Sequence, residues 1–262
     1  MTFWREVIMV KGFMIDLDGV VYKGDTVREG SKEFFQYLKK ENIPHCVVTN
    51  HSSFHRKYYS QKLKRMGIEV PMEMVISTPY EVAIEVKKKE YHKAFVIGRQ
   101  GLIDELFDAG CYVTDEPDVV IVGYDERYDF QKLTKAIRWV LNGKPLWVAN
   151  PDRLLPKEDG FYPDSGSLAA PIVYATGVTP LYFGKPFRHI FEIALEIMNM
   201  KAEEIAMIGD TYETDILGAK GCGIKSIYIE GVQSNPKIDS KPDYVFKNLM
   251  EVLENIESIM GE

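Results

Sequence analysis

Two aspartates stand inside an apolar segment of the sequence, FMIDLDGVVY at residues 13–22. Burying an ionised carboxylate without a partner is costly, so the pair requires a compensating cation or a chemical role. Asp16 has the chemistry of a nucleophile that forms an aspartyl-phosphate, which divides a difficult displacement into two easier steps. Asp18 is two residues further on, so an extended backbone points it to the same side, where it can protonate the leaving oxygen and later deprotonate the attacking water. Gly19 then lets the chain turn away.

Three further groups of polar residues follow apolar, strand-like segments. Thr49 and Asn50 follow CVV, Lys185 follows LYFG, and Asp210 and Asp215 follow IAMI. With the first aspartate of the pair, Asp210 offers the oxygen ligands that Mg²⁺ prefers, and Asp215 would lie beside the metal rather than on it. Lys185 would supply a fixed positive charge, while the Thr49 hydroxyl and backbone N–H groups would hold phosphate oxygens. Each group alone is ordinary loop chemistry, but four groups at successive strand ends predict a site for phosphoryl transfer.

The elements that must position these residues alternate between strands and helices. The order β-α-β-α at the start returns at the end of the chain, which predicts a mostly parallel sheet with helices on both faces, a doubly wound α/β fold. We expect the first strand to end at Ile15 and to deliver both acids to the carboxyl edge of the sheet, outside the core, where such folds bind ligands. The middle of the chain is also α/β, with a helix through Phe130, Leu133, Ile137 and Val140; periodicity alone leaves open a single continuous sheet.

Four segments of the chain carry a family resemblance: DLDGVVY, VVTNHSS, GKP and GDTYETD. In order and flanks they resemble the four motifs of the haloacid dehalogenase (HAD) superfamily, and of its NagD-like, 4-nitrophenylphosphatase-like branch, over nearly the whole chain. The resemblance implies a Mg²⁺-dependent phosphatase acting on small phosphomonoesters: sugar phosphates, nucleoside monophosphates, phosphoglycolate, pyridoxal phosphate or p-nitrophenyl phosphate. It implies the catalytic residues Asp16 and Asp18, the phosphate-binding residues Leu17, Asp18, Thr49, Asn50 and Lys185, and the metal-binding residues Asp16, Asp18, Asp210 and, outside the direct ligands, Asp215.

A long segment, residues 51–184, separates the second motif from the third. A simple βαβ connection needs only about 30 residues, so a whole domain must be inserted there. We predict a HAD-like, Rossmann-type core over 1–78 and 181–262, and an inserted smaller α/β cap domain over 79–180.

Loops of the predicted cap, ANPDRLLP and YPDSGSLAAPI, resemble family loops that face the active site. The sequence departs from the family at His51, where a second Asn is common, and at Asp164-Ser165, where Gly-Ala is common. His51 either is a polar loop residue, the favoured interpretation, or touches the leaving group. Asp164 brings a negative charge near the cap opening if its loop faces inward. The residues expected to line the substrate are His51, Asn150, Asp152 and Ser165.

Composition excludes several classes of function. The chain has 262 residues, a net charge of −7 and 45% hydrophobic residues, which argues against a general nucleic-acid or anionic-membrane surface. Arg5 and Glu6 interrupt the apolar start, so it resembles neither a signal peptide nor a membrane span, and we expect a cytoplasmic protein. Met9 precedes the first strand, so residues 1–8 are expected to be an extension that the fold does not need. The three cysteines lack paired spacing and are interpreted as reduced packing residues.

Other functions remain to be weighed against a phosphatase. A signalling receiver uses similar strand-end residues around Mg²⁺ but is half this length and lacks the Gly-Asp-x₄-Asp element. A dehalogenase would share the nucleophile without a use for Asp18. A HAD-fold module that binds phosphoryl groups without turnover would be expected to have lost a reactive group, and none is missing. The expected partner is a small-molecule phosphomonoester, with no nucleic acid and no membrane, and a homodimer through the cap is left open.

Overall fold

The computed structural model describes residues 9–157, 159–230 and 241–261. The predicted extension at residues 1–8 lies outside them. The strands are β1 (Gly12–Ile15), β2 (Tyr22–Lys23), β3 (Thr26–Val27), β4 (His45–Thr49), β5 (Val75–Ser77), β6 (Lys93–Ile97), β7 (Tyr112–Val113), β8 (Val119–Val122), β9 (Leu146–Val148), β10 (Leu154–Lys157), β11 (Gly160–Pro163), β12 (Leu181–Tyr182), β13 (Ile205–Gly209), β14 (Lys225–Ile229) and β15 (Tyr244–Phe246). The helices are α1 (Ser31–Lys40), α2 (Arg56–Arg65), α3 (Thr78–Lys88), α4 (Gln100–Asp108), α5 (Phe130–Leu141), α6 (Ser165–Thr176), α7 (Arg188–Met198), α8 (Leu217–Gly221), α9 (Leu249–Glu254) and α10 (Ile256–Met260), with a π-helical turn at Tyr212–Ile216.

The chain divides into two compact units. The first unit comprises Met1–Val48, Lys62–Val75 and Phe191–Glu262, and the second comprises Thr49–Gln61 and Ile76–Ile190. The second unit is an insertion into the first, interrupted by one returning segment. The boundaries drawn from the sequence, 79–180 for the cap, stay a prediction.

A six-stranded sheet in the order β15-β14-β13-β1-β4-β5 organises the first unit. The pairs β1–β13, β1–β4, β13–β14 and β14–β15 are parallel. All four residues of β1 are buried, as expected for a central strand of a sheet covered on both faces. The strands that follow β1 first extend the sheet on one side of it, through β4, and later on the other side, through β13. The strand order therefore reverses between β1 and β13. In parallel sheets this switch point is where ligands bind.

Helix α1 shows how the first unit covers its sheet. Its buried residues include Phe34, Phe35 and Leu38, which form one apolar face, and the ring of Phe34 meets that of Phe13 on β1 edge to face at 5.6 Å. Gly30 precedes the helix with φ +79°, and a Cβ atom there would stand 2.0 Å from the backbone nitrogen of Met250. Glycine therefore permits the close approach of α9 to the start of α1.

A five-stranded sheet, β12-β9-β8-β6-β7, organises the second unit. The antiparallel hairpin β10–β11 lies between β9 and β12 in the sequence and forms a separate two-stranded sheet. The strand pairs of the five-stranded sheet are parallel. Alternate residues of β8 enter two separate cores: Val119 and Ile121 pack with residues of α3 and α4, while Val120 and Val122 pack with residues of α5 and α6. Helices thus cover both faces. The predicted α/β fold with parallel sheets is confirmed, and the open alternative of one continuous sheet is wrong.

Two smaller predictions concern thiols and membranes. Cys46 and Cys111 are buried, and burial raises the pKa of the Cys46 thiol to about 12 and that of the Cys111 thiol to about 11. Such thiols are unreactive, which agrees with their interpretation as packing residues. Among the described residues, no helix combines the length and the apolar character that crossing a bilayer requires.

Candidate active site

Three aspartates of the first unit meet at the switch point of its sheet. Carboxylate oxygens of Asp16, Asp210 and Asp215 lie within 4.8 Å of one another, and we call these residues the acidic trio. Asp16 directly follows β1 and Asp210 directly follows β13, and the two strands pair in register with Ile15 opposite Ile208. The strand pairing therefore brings together two carboxylates that are far apart in the sequence.

Asp16 and Asp18 have different environments. The strand ends at Ile15 as predicted, but the backbone N–H of Asp16 still donates to the carbonyl of Ile208 at 2.9 Å. Asp16 thus stays within the sheet ladder and is only 7% exposed, so the expectation that both acids lie outside the core is wrong for Asp16. Asp18 is exposed, as expected for a group that exchanges protons with substrate and water.

The turn after Asp18 is shaped by its backbone. Two amides, those of Val21 and Tyr22, donate to the carbonyl of Leu17, and the N–H of Gly19 donates to the carbonyl of Tyr22. Gly19 has φ +86°, and a Cβ atom there would stand 1.9 Å from Oδ2 of Asp210. Glycine is therefore required at position 19 for two reasons: the backbone there is left-handed, and the Asp210 carboxylate of the acidic trio occupies the space that a side chain would need.

Asp215 is held in place by the π-helical turn that contains it. Its Oδ2 accepts the N–H of Thr211 at 3.0 Å, while its own N–H donates to the carbonyl of Thr211 at 2.9 Å. A Cβ atom on Gly209 would stand 2.2 Å from the Cβ of Asp215. The Gly-Asp pair of the sequence motif thus has a structural reason, since only glycine at 209 leaves room for the third carboxylate.

The acidic trio fits a hard divalent cation. Three carboxylates this close repel one another, and Asp215 is only 1% exposed, so water screens this repulsion poorly. A cation with a preference for oxygen ligands, such as Mg²⁺, removes the repulsion. The side chain of Asp18, also predicted to bind the metal, is not part of this cluster.

In the second unit, Asn50 connects several of the predicted residues. Its side chain accepts the N–H of Lys185 at 2.7 Å and donates to the carbonyl of Lys185 at 2.9 Å. It also donates to Oδ2 of Asp152 at 3.1 Å, and its backbone carbonyl accepts the amide of Asn150 at 2.8 Å. The second unit therefore gathers residues from the second motif, the third motif and the predicted cap loops.

Asn150 and Ser165 are fully buried, although both are expected to line the substrate. Asp164 begins α6 as its N-cap: its Oδ1 accepts the N–H of Ser165 at 2.6 Å, the hydroxyl of Ser165 at 3.0 Å and the amide of Asn150 at 3.4 Å. Burial raises the pKa of the Asp164 carboxyl, while these hydrogen bonds oppose that rise. Asp164 is 5% exposed, so its role in the structure is that of a buried helix cap.

The loop that follows β4 is organised by hydrogen bonds of its own residues. The N–H of His51 donates to Oγ1 of Thr49 at 3.2 Å, and its ring nitrogen Nδ1 accepts the N–H of Ser53 at 3.3 Å. The ring lies 5.4 Å from that of Phe54. These contacts favour the interpretation of His51 as a polar loop residue.

Sequence reasoning missed Glu81, which contacts the loop that carries Lys185. Glu81 is fully buried on α3, and its Oε2 accepts the N–H of Gly184 at 2.6 Å. Its Oε1 lies 3.2 Å from Nδ1 of His189. The signal in the sequence was a carboxylate in the helix TPYEVAIEV, one turn before a second one, but helical spacing alone does not tell a buried acid from an exposed one.

Comparison with known proteins identifies the family. Residues 13–112 match the family model described as haloacid dehalogenase-like hydrolase, and residues 182–252 match a second, HAD-hydrolase-like model. An acid sugar phosphatase from Staphylococcus saprophyticus is 35% identical over 254 residues, which cover 94% of this chain and 98% of the relative. The chain belongs to the haloacid dehalogenase-like hydrolases.

Solved structures of HAD proteins agree with this assignment over almost the whole length. A p-nitrophenyl phosphatase from Archaeoglobus fulgidus superposes with a TM-score of 0.88 at 32% identity, covering 94% of this chain and 99% of that one. NagD from Escherichia coli K-12 superposes with a TM-score of 0.86 at 31% identity, covering 93% and 98%. The predicted superfamily, its NagD-like branch and the hydrolase class are confirmed.

Proposed function

We propose that this HAD hydrolase is a phosphatase that releases inorganic phosphate from small phosphomonoesters. The acidic trio carries the proposal, because three carboxylates, two of them buried, meet at the switch point of a parallel sheet, where they could bind a metal ion and where the proposed nucleophile Asp16 is one of them. Relatives named as an acid sugar phosphatase and a p-nitrophenyl phosphatase support the same class. Sugar phosphates and aryl phosphates are therefore the first candidates among the predicted substrates.

Asp16 is proposed as the nucleophile. A carboxylate oxygen of Asp16 attacks phosphorus, an oxygen–phosphorus bond to the protein forms, and the ester bond between phosphorus and the leaving oxygen breaks. Asp18 donates its proton to the leaving oxygen, then removes a proton from water, whose oxygen attacks the same phosphorus. The bond to Asp16 breaks, and phosphate is released with the carboxylate regenerated. The exposure of Asp18 supports this role, since both of its proton partners come from solution.

Asp16, Asp18 and Asp210 are proposed to hold Mg²⁺, with Asp215 beside them. When bound, Mg²⁺ offsets the charge of the carboxylates and of the phosphate. The hydrogen bond from Thr211 to Asp215 supports an orienting role for that carboxylate.

Leu17, Asp18, Thr49, Asn50 and Lys185 are proposed to bind the phosphate. Lys185 is the cation of this group and is only 2% exposed, so its charge is weakly screened. Asn50 contributes through its two hydrogen bonds to the backbone of Lys185. His51, Asn150, Asp152 and Ser165 remain proposed as residues that shape the substrate space of the second unit.

Hydrolysis of p-nitrophenyl phosphate tests the proposal. We expect turnover with Mg²⁺, its loss with EDTA, its return on adding Mg²⁺ back, and no turnover by Asp16→Asn. Asp25→Asn is the matched control, since the side chain of Asp25 is 99% exposed in the turn between β2 and β3, and it should keep wild-type activity. Undiminished hydrolysis by Asp16→Asn, in a preparation shown free of other phosphatases, would contradict the assignment. A panel of sugar, nucleoside, glycolate and pyridoxal phosphates compared by kcat/KM then identifies the preferred substrate.

A further inference from the structure

The loop that carries Lys185 is pressed against its neighbours in the second unit. Gly184 has φ +80°, and a Cβ atom there would stand 2.7 Å from Oδ1 of Asn50 and 2.8 Å from Cγ2 of Thr78. Glycine is therefore needed at 184 for both the left-handed backbone and the contact. The position of the backbone before Lys185 is set by a close fit rather than by a flexible turn.

Two side chains take up the polar backbone groups of this loop. Asn50 binds both the N–H and the carbonyl of Lys185. Glu81 binds the N–H of Gly184, at 2.6 Å, which is a short distance for an N–H donor and is typical of a charge-assisted hydrogen bond. Residues from two separate segments, the end of β4 and the start of α3, thus hold adjacent peptide groups.

Glu81 is an unusual residue for its position. It is fully buried, and burial raises the pKa of its carboxyl, an effect that hydrogen bonds from His189 and Gly184 oppose. His189 lies 3.2 Å away on α7, and its pKa is raised by the same contact. A buried carboxylate carries a desolvation cost that an apolar residue would avoid, and its acceptor oxygens are used on the loop and on His189.

We propose that Glu81 is a positioning residue for Lys185: it fixes the peptide group between Phe183 and Gly184, one residue before the lysine, and so helps to fix where the ammonium group meets the phosphate. The inference rests on the proposed function, in which Lys185 binds phosphate. The ammonium group of lysine stands at the end of a flexible four-carbon side chain, so it is placed accurately only when the backbone from which that side chain extends is fixed. Asn50 holds the two peptide groups on either side of the Lys185 Cα atom, and Glu81 holds the peptide group before them.

Binding of inorganic phosphate and hydrolysis of p-nitrophenyl phosphate by the full-length chain test the inference. Glu81→Ala is expected to weaken phosphate binding and to raise KM by about tenfold or more. Glu81→Gln keeps an oxygen for the N–H of Gly184 and should restore both values to within about threefold of wild type. Glu85→Ala is the matched control: Glu85 is a buried acid one helical turn later that lies 3.8 Å from Nε2 of His189, and it should leave both values unchanged.

A double-mutant cycle separates positioning from general destabilisation. If Glu81 acts through Lys185, Glu81→Ala changes phosphate affinity in the wild-type background and leaves it unchanged in the Lys185→Ala background. Equal losses in the two backgrounds, or wild-type affinity in Glu81→Ala itself, overturn the inference. Absence of any hydrolysis by the wild-type protein with Mg²⁺ contradicts the proposed function instead, so the two failures are distinguishable.

Discussion

Gly19 and Asp210 are in such close contact that a Cβ atom on Gly19 would stand 1.9 Å from the carboxylate oxygen Oδ2. The glycine comes from the first motif and the aspartate from the last. The turn that follows Asp18 therefore limits where the side chain of Asp210, a proposed metal ligand, can lie. The backbone of one motif thereby shapes the side-chain position of another.

Gly19→Ala is therefore expected to displace Asp210 and to raise the Mg²⁺ concentration needed for half-maximal hydrolysis by 10–100-fold, on the order found when groups that orient metal ligands are changed. Titration of phosphatase activity with Mg²⁺ measures this. Gly143→Ala is the control, because Gly143 has nearly the same backbone angle, φ +84°, with nothing within 4 Å of a Cβ atom. A Gly19→Ala protein with the Mg²⁺ dependence of the wild type would show that the contact does not matter.

Asp215→Asn should weaken Mg²⁺ activation by roughly 10–100-fold while the fold is kept. Asparagine still offers an oxygen to the N–H of Thr211, so the substitution removes the charge and leaves the turn intact. Calorimetric titration with Mg²⁺ measures the affinity for the metal, and thermal unfolding measures separately whether the fold is kept. Glu213→Gln, an exposed acid in the same turn, supplies the comparison and should behave as wild type. Equal Mg²⁺ affinity in Asp215→Asn and wild type would contradict a role for Asp215 at the metal.

Asp164→Ala should reduce the free energy of unfolding by about 1–2 kcal/mol, the upper part of the range for loss of an N-cap. The carboxylate accepts the N–H and hydroxyl of Ser165 and the amide of Asn150, so its removal takes away the acceptor of the buried Ser165 N–H and one acceptor each from the other two groups. Asp129→Ala removes the exposed N-cap of α5, which accepts one N–H, and should cost less. Urea unfolding of the two variants compares them, and a smaller loss for Asp164→Ala would contradict the structure.

The contact between His189 and Glu81 predicts a pH dependence of stability. The pKa of His189 is raised above its ordinary value of 6.5, chiefly by its hydrogen bond with Glu81, and the pKa of Glu81 is raised above 4.5 by burial. Both groups therefore bind protons more tightly in the folded protein. For His189 the contribution to stability is present below pH 6.5 and is lost as the pH rises through its higher folded value.

His189→Asn should accordingly lower the melting temperature more at about pH 5.5 than at about pH 8.5. Glu85 and Lys88 also act on His189, the first raising and the second lowering its pKa, so Lys88→Gln provides a control that removes another charge acting on His189 and keeps the contact between Glu81 and His189. An equal or larger effect of His189→Asn at the higher pH would contradict the sign of the shift.

The acidic trio illustrates what a sequence can predict. Asp16 and Asp210 each follow an apolar strand, and the alternation of strands and helices predicts a parallel sheet, so their meeting at one sheet edge follows from pattern and general topology. The requirement for glycine at 209 does not follow, because it depends on how closely Asp215 approaches the backbone.

Other features depend on burial, which periodicity does not report. Phe130 fits the helical spacing of α5 but is 81% exposed, because it is the first residue of the helix. Glu81 shows the opposite case, a charged residue fully buried beside a loop that is far away in the sequence. The sequence around Asp164 differs from the family pattern and predicted a negative charge near the cap opening if the loop faced inward. In the structure the hydrogen bonds of Asp164 make it the N-cap of α6. In each case contacts with residues distant in the sequence decide whether the side chain is buried or exposed.

The pairing of β1 with β13 has a consequence for synthesis of the chain. The two strands are neighbours in space, but one is made at the start of translation and the other after residue 204. On a ribosome that adds about 5–20 residues per second, the inserted unit is complete before β13 emerges. A nascent or truncated chain therefore displays Asp16 without Asp210 and Asp215. The proposed nucleophile therefore meets the two carboxylates proposed to lie at the metal only when the polypeptide is nearly finished, and chains that stop before β13 are expected to lack the proposed activity.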